Sequence, residues 1–319
     1  MSQKSLFSNV IFYQLPNCEL TDDEFLSALE MSPYAPCLKS QPVSVGWVPS
    51  VTDGSLLTVN NGALFMTLHT EEKKVPADVV KQEVKVLVDK FKKKEGKDPT
   101  AEQIKEWKAH VTLSLLPRAF SKHTETRMII SPDKKWLAID ASSANKAEAL
   151  IKLLRSALAA DEHSFATLPM RPTVNMEQVM TNWLIQKELP EKVEQGVEAK
   201  LSDSEGIVKV ERVDLFGTDV RKLLEANYKV LSLALNYDGM SFKIDKTLTL
   251  KSFNVDASML PEDEDYSTEE DADKALAYLL DVHLRLLVPG LQSLFKFLGQ
   301  FCEGEESQND NEVNSNKVA

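Results

Sequence analysis

Cysteine, glycine and long apolar runs are scarce in this sequence. Its 319 residues include three cysteines, Cys18, Cys37 and Cys302, widely separated and without CxxC spacing. That excludes a disulfide framework and a zinc-ribbon ligand set, and predicts a protein of the reducing cytoplasm. The eleven glycines are dispersed, so neither a P-loop nor a dinucleotide fingerprint, both of which need glycines gathered against a phosphate, is present. GxSxG and HExxH are absent as well. Apolar stretches such as residues 275–280, the longest, and 286–288 fall far short of the roughly 18 to 20 residues that span a bilayer. The first seven residues have neither an apolar core nor a small-residue cleavage site, which predicts no export. The five histidines stand apart from one another. Ser121 and His123 are neighbours in sequence, but adjacency along the chain does not make a triad, and surface or packing roles are the commoner fate of such a pair. These absences leave no catalytic residue, no metal site and no cofactor to nominate.

What the sequence does have is an uneven charge layout. The net charge is −12. Residues 71–160 nevertheless carry 19 Lys and Arg against 13 Asp and Glu, a balance of +6, while the remainder carries 18 against 36, a balance of −18. A basic middle within an acidic body can attract a polyanion locally. Its densest part follows Pro76, where Val80, Val84, Leu87 and Phe91 give a helical apolar stripe, Lys81, Lys85 and Lys92 lie on other faces, and Lys92, Lys93 and Lys94 form a basic run. A helix of 20 residues spans about 30 Å at roughly 1.5 Å per residue, and duplex DNA offers about one phosphate per 1.7 Å of axis. The plainer alternative is a solvated, lysine-coated helix with Glu83 and Asp89 as counter-ions. From these residues alone the plainer reading is the commoner.

Local signals predict an α+β chain with antiparallel strands. Residues 10–13 form a first strand, and Thr21 with Glu24 makes a capping box for a helix. Asn60-Asn61-Gly62 turns a hairpin between 56–59 and 63–68. A helix runs from Pro76 to about Glu95 and stops at Gly96; Thr100 and Gln103 cap the next, which gives way near Leu116-Pro117. Strands at 127–131 and 136–140 and a helix at 145–159 follow, then a break at Pro169 and Pro172. Beyond it come a helix at 176–186, a helix at 219–226, and strands at 197–201, 207–215, 229–236 and 241–250, the last two joined by Asp238-Gly239. An acidic collar (262–265 and 269–273) precedes a helical region, 275–301, expected to break at Pro289-Gly290. The acidic tail from Glu303 has too few apolar residues to fold by itself.

The most unusual stretch is Leu115-Leu116-Pro117-Arg118-Ala119-Phe120-Ser121. Phe120 is read either as a core residue under a turn, the usual place for a Phe, or as a plug offered to a partner subunit with Arg118 beside it. Together with Gly46-Trp47-Val48-Pro49, Glu71-Glu72-Lys73-Lys74 before Pro76, the Lys146-Ala147-Glu148 core of 144–154, the Trp183 helix and Leu233-Ala234-Leu235, this stretch resembles the RdgC family of recombination-associated proteins, collinearly over residues 8–300.

The resemblance implies a horseshoe-shaped, multi-domain α+β subunit that pairs with a second copy into a ring. It further implies that duplex DNA passes through the ring with little sequence preference, single-stranded DNA being a second ligand. RecA-driven strand exchange and replication-fork repair are the processes modulated, RecA itself is a further partner, and the setting is the cytoplasmic nucleoid. Phe120, with Pro117, matches the family's openable gate; Arg118 and Arg212 match basic positions for DNA, while Val213 departs from the polar residue expected beside Arg212. The expected organisation is an N-terminal portion (1–75 and 126–168), a basic helical tip carrying the gate (76–125), a C-terminal portion with the dimer base (169–302) and the tail (303–319). Two other readings compete: a protein-binding regulator of a recombinase for which DNA contact is incidental, and a nuclease that uses the acidic collar.

Overall fold

The computed structural model describes residues 6–50, 54–256 and 269–302. The chain opens with β1 (Asn9–Gln14) and α1 (Asp22–Glu30), whose start is fixed reciprocally: Thr21 N donates to Glu24 Oε2 at 2.7 Å and Glu24 N to Thr21 Oγ1 at 3.3 Å. After β2 (Val43–Val48), the hairpin of β3 (Thr58–Asn60) and β4 (Ala63–Lys74) turns at Asn61 and Gly62, with φ of 50° and 71°. Helix α2 (Ala77–Glu95) ends on Gly96 in the left-handed conformation, and α3 (Ala101–Leu115) begins on a complete Thr100–Gln103 capping box. A 3-10 turn, Leu116–Arg118, leads into β5 (Phe120–Ser131) and β6 (Trp136–Ile139). Then come α4 (Ala144–Ala160), β7 (Leu168–Pro169), α5 (Met176–Gln186), β8 (Val193–Ser202) and β9 (Ile207–Glu211). The described chain closes with α6 (Thr218–Glu225), β10 (Lys229–Tyr237), β11 (Met240–Asp245), β12 (Leu250–Val255) and α7 (Glu269–Gly299). The class is α+β, built on antiparallel pairing. No helix among the described residues is long and apolar enough to cross a membrane.

Contacts gather the chain into two compact units. The larger comprises Met1–Leu29, Pro49–Met66 and Arg127–Ala319; the smaller comprises Glu30–Val48 and Thr67–Thr126. In the larger unit the strand order is β4-β5-β6-β1-β12-β11-β10-β8-β9. β1 joins its two halves: Asn9 and Val10 pair with Lys251 and Leu250 of β12, and Ile11 to Gln14 pair with Ile139 to Trp136 of β6. Leu284, Leu287, Leu291, Leu294 and Leu298 recur at helical spacing along α7 and are all buried, in one cluster with Leu233, Leu235 and Phe242 of β10 and β11.

That buried face corrects one expectation. α7 runs unbroken through Pro289 and Gly290. Proline removes a backbone donor, but the leucines on both sides are already committed to the core, and the helix continues because breaking it would expose them. Gly290 packs closely on β11: a Cβ there would sit 2.9 Å from Met240 Sδ, the flexible end of a side chain that can move aside. Three strand limits also change. The expected strand 207–215 stops at Glu211 because Arg212 adopts φ of 56°. The expected strand 241–250 divides into β11 and β12 around Asp245, whose Oδ1 accepts from Thr247 N and Oγ1. β4 and β5 extend to Lys74 and Phe120, well past the apolar segments that announced them. Residues 262–265 of the acidic collar and the tail from 303 lie outside the described residues; 269–273 belong to α7.

The smaller unit pairs β2 with the second part of β4, Val43↔Glu72 through Val48↔Thr67. The open side of β2 is bridged by residues 32–34: Tyr34 N donates to Trp47 O and Trp47 N to Ser32 O, each at 2.9 Å. A Cβ on Gly46 would lie 2.4 Å from Tyr34 Cα. Backbone cannot give way as a flexible side chain can, so Gly46→Ala is expected to destabilise the protein by about 1–3 kcal/mol. A thermal melt in which Gly46→Ala and the parent protein coincide would contradict this packing.

Candidate nucleic-acid interface

In the smaller unit α2 and α3 form an antiparallel pair held by a narrow apolar seam. Val84 and Val111 are buried, and Phe91 meets Trp107 edge-on with ring centroids 5.5 Å apart. Few positions are spent on that seam, which leaves most of α2 to solvent. Lys81, Lys85 and Lys92, spaced four and seven residues apart, lie along one exposed flank. Lys92 pairs with Asp98 at 2.5 Å, and the hydrogen bond and charge of Asp98 hold its ammonium above the usual lysine range. Lys94 stands 3.9 Å from Glu95. Lys81, Lys85 and Lys93 have no carboxylate partner among the described residues, and the counter-ions suggested by sequence, Glu83 and Asp89, pair with none of them.

The 3-10 turn after α3 is pinned by Leu116, 2% exposed, whereas Pro117 and Arg118 point to solvent. Phe120 is 89% exposed. Its reading as a core residue of this chain is therefore excluded. No acidic partner approaches Arg118 among the described residues. Arg212 belongs to the larger unit, exposed and in the left-handed region beside half-buried Val213. The site residues thus divide between the units, Arg212 on one and Lys81, Lys85, Lys92, Lys93, Lys94, Pro117, Arg118 and Phe120 on the other.

Behind Phe120 lies a polar cluster that sequence reading missed. Glu71, buried at 6% exposure, accepts from Ser121 Oγ at 2.5 Å, from Tyr34 OH at 2.8 Å and from Cys37 N at 2.7 Å. The hydrogen bonds from Ser121, Cys37 and Tyr34, in that order, hold its carboxyl down at about 2 despite burial. His69 Nε2 and His123 Nδ1 share a hydrogen bond of 3.0 Å. Ser121 and His123 accordingly engage different partners, a carboxylate and a second imidazole, and not each other. The alternation of β4 places His69, Glu71 and Lys73 on one face, which is a legible signal; their meeting with Ser121 and His123 depends on the pairing of β4 with β5.

Residues 6–300 match a family model described as "RdgC: Putative exonuclease, RdgC". Similar proteins are named "Recombination-associated protein RdgC". That of Colwellia psychrerythraea is 29% identical over 285 residues, covering 85% of this chain and 91% of that protein. That of Mannheimia succiniciproducens is 28% identical over 307 residues, covering 95% and 99%. That of Janthinobacterium sp. is 31% identical over 278 residues, covering 84% and 89%.

Two outcomes follow from this geometry. Phe120→Ser removes almost no buried surface, so its unfolding free energy is expected within about 0.5 kcal/mol of the parent; a melt typical of a core cavity would show that Phe120 packs inside the subunit. Glu71 has a depressed folded pKa, so its contribution to stability is full above the ordinary value of 4.5 and is lost as pH falls towards about 2. Glu71→Gln is expected to flatten the acid-unfolding profile over that window. Superimposable acid titrations of the two proteins would mean that Glu71 is not held ionised in the fold.

Proposed function

The chain belongs to the RdgC family, and from that premise we propose that it is a DNA-binding protein without sequence preference that closes as a homodimeric ring around duplex DNA. In this reading the ring restrains RecA-dependent strand exchange and acts in replication-fork repair at the nucleoid, with single-stranded DNA as a second ligand. The observation that carries the proposal is Phe120, a large aromatic side chain 89% exposed beside Arg118, in the same unit as Lys81, Lys85 and Lys93 of α2, cations that have no carboxylate partner among the described residues. An exposed phenylalanine gains roughly 1.5–3 kcal/mol when a partner covers it, and a twofold contact gains about twice that before association costs. Such a closure is strong enough to hold and weak enough to open.

Lys81, Lys85, Lys92, Lys93, Lys94, Arg118 and Arg212 are the proposed phosphate contacts. Phosphate contacts position a duplex without reading bases, in keeping with a chain that has no base-reading motif. The lysines paired with Asp98 and Glu95 exchange those weak, exposed partners for phosphates at little cost. The description attached to the family model favours a second reading, an exonuclease. Mg²⁺-dependent release of nucleotides from linear duplex is the measurement that would establish it.

Duplex affinity measured across a salt series tests the proposal. Each neutralised phosphate steepens the slope of log K against log[salt] by about 0.9. A slope of about −5 or steeper, alike for unrelated sequences, is expected, and reversal of Lys92, Lys93 and Lys94 to Glu should flatten it by about 2 to 3. Retention of recombinase inhibition by that charge-reversed protein after it has lost DNA binding would favour a regulator acting directly on the recombinase.

A further inference from the structure

The carboxylate behind Phe120 bears on how the aromatic is held outward. Glu71 joins three segments that are distant in sequence. Its Oε1 accepts from Ser121 Oγ at the start of β5, and its Oε2 accepts from Tyr34 OH and Cys37 N on the stretch beyond α1. A buried carboxylate is costly unless its oxygens are satisfied; here three donors satisfy it, and none of the three is a cation. The Ser121 contact, at 2.5 Å, is a short, charge-assisted hydrogen bond.

Ser121 directly follows Phe120, and side chains alternate along a strand. Fixing Ser121 inward on Glu71 therefore directs Phe120 to the opposite, outward face. The other end of the short segment is fixed by Leu116, 2% exposed, with Ala119 N donating to Leu116 O at 3.2 Å. Phe120 is thus suspended between an apolar anchor and a polar one.

We propose that Glu71, acting through the Ser121 hydroxyl, is the positioning residue that presents Phe120 for ring closure. The inference rests on the reading of Phe120 as the closing contact and adds the group that sets its direction. It separates two properties. Contacts with phosphate come from the lysines and arginines and are untouched by loss of the Ser121 hydroxyl, whereas the closed state depends on it.

The test uses the full-length protein with Ser121→Ala, Ser121→Thr and Phe120→Ser, and two probes: a short linear duplex and a covalently closed circular duplex. Ser121→Ala is expected to shorten the lifetime on the closed circle by about tenfold, the order of effect of losing one charge-assisted hydrogen bond. Affinity for the short duplex should change by less than about twofold, the phosphate contacts being intact. Ser121→Thr, which keeps the hydroxyl, should restore the lifetime. If Phe120→Ser shortens the lifetime and Ser121→Ala does not, Phe120 is the closing contact and the role given to Glu71 is wrong. An equal loss on both probes would assign Ser121 a merely structural role and overturn the inference. A closed-circle lifetime unaffected by Phe120→Ser would remove the premise itself, an outcome distinct from the other two.

Discussion

On a chain of net charge −12, α2 carries lysines without counter-ions among the described residues, and that imbalance constrains what the smaller unit can bind. Carboxylates are plentiful, yet Lys81, Lys85 and Lys93 have none beside them among the described residues, and the lysines that do have partners hold exposed ones. Mutual repulsion between these cations is tolerable in water and becomes an attraction once a polyanion lies along them. A narrow seam makes the arrangement feasible. Because Val84, Val111 and the Phe91–Trp107 edge suffice to hold α2 to α3, the remaining faces of α2 are free to carry charge.

The smaller unit joins two kinds of surface. The cations suit phosphate, and Phe120 suits an apolar partner. Arg118 and Phe120 stand together where α3 runs directly into the 3-10 turn and then β5, while the lysines belong to the preceding helix, α2. The turn is pinned by Leu116 on one side and by the Ser121–Glu71 hydrogen bond on the other. The larger unit, built around β1 and the leucine face of α7, has a core of its own.

What could be read from sequence was local. Thr21 with Glu24 and Thr100 with Gln103 announce their helices because each capping box is complete within four residues. Asn61-Gly62 and Asp238-Gly239 announce their turns because positive φ is a property of the residues themselves. What could not be read was settled by distant partners. Glu71 and Ser121 are 50 residues apart, and only the pairing of β4 with β5 brings them together. The polar first half of β5 has no apolar alternation, so nothing in its sequence marks a strand beginning at Phe120. Pro289 signals a break that the buried face of α7 overrides. Of the proposed interface, the lysine helix was visible as composition and Phe120 through family resemblance; the exposure of Phe120 and the missing counter-ions required coordinates.

Encirclement differs from ordinary affinity in depending on whether the DNA has ends. The most direct measurement loads the protein on closed circular duplex at low ionic strength, raises the salt, and then cuts the circle once. Protein is expected to persist on the intact circle and to leave within the time needed to slide off once ends exist. Release from intact and cut DNA at the same rate, or a protein that remains monomeric on both, would contradict encirclement.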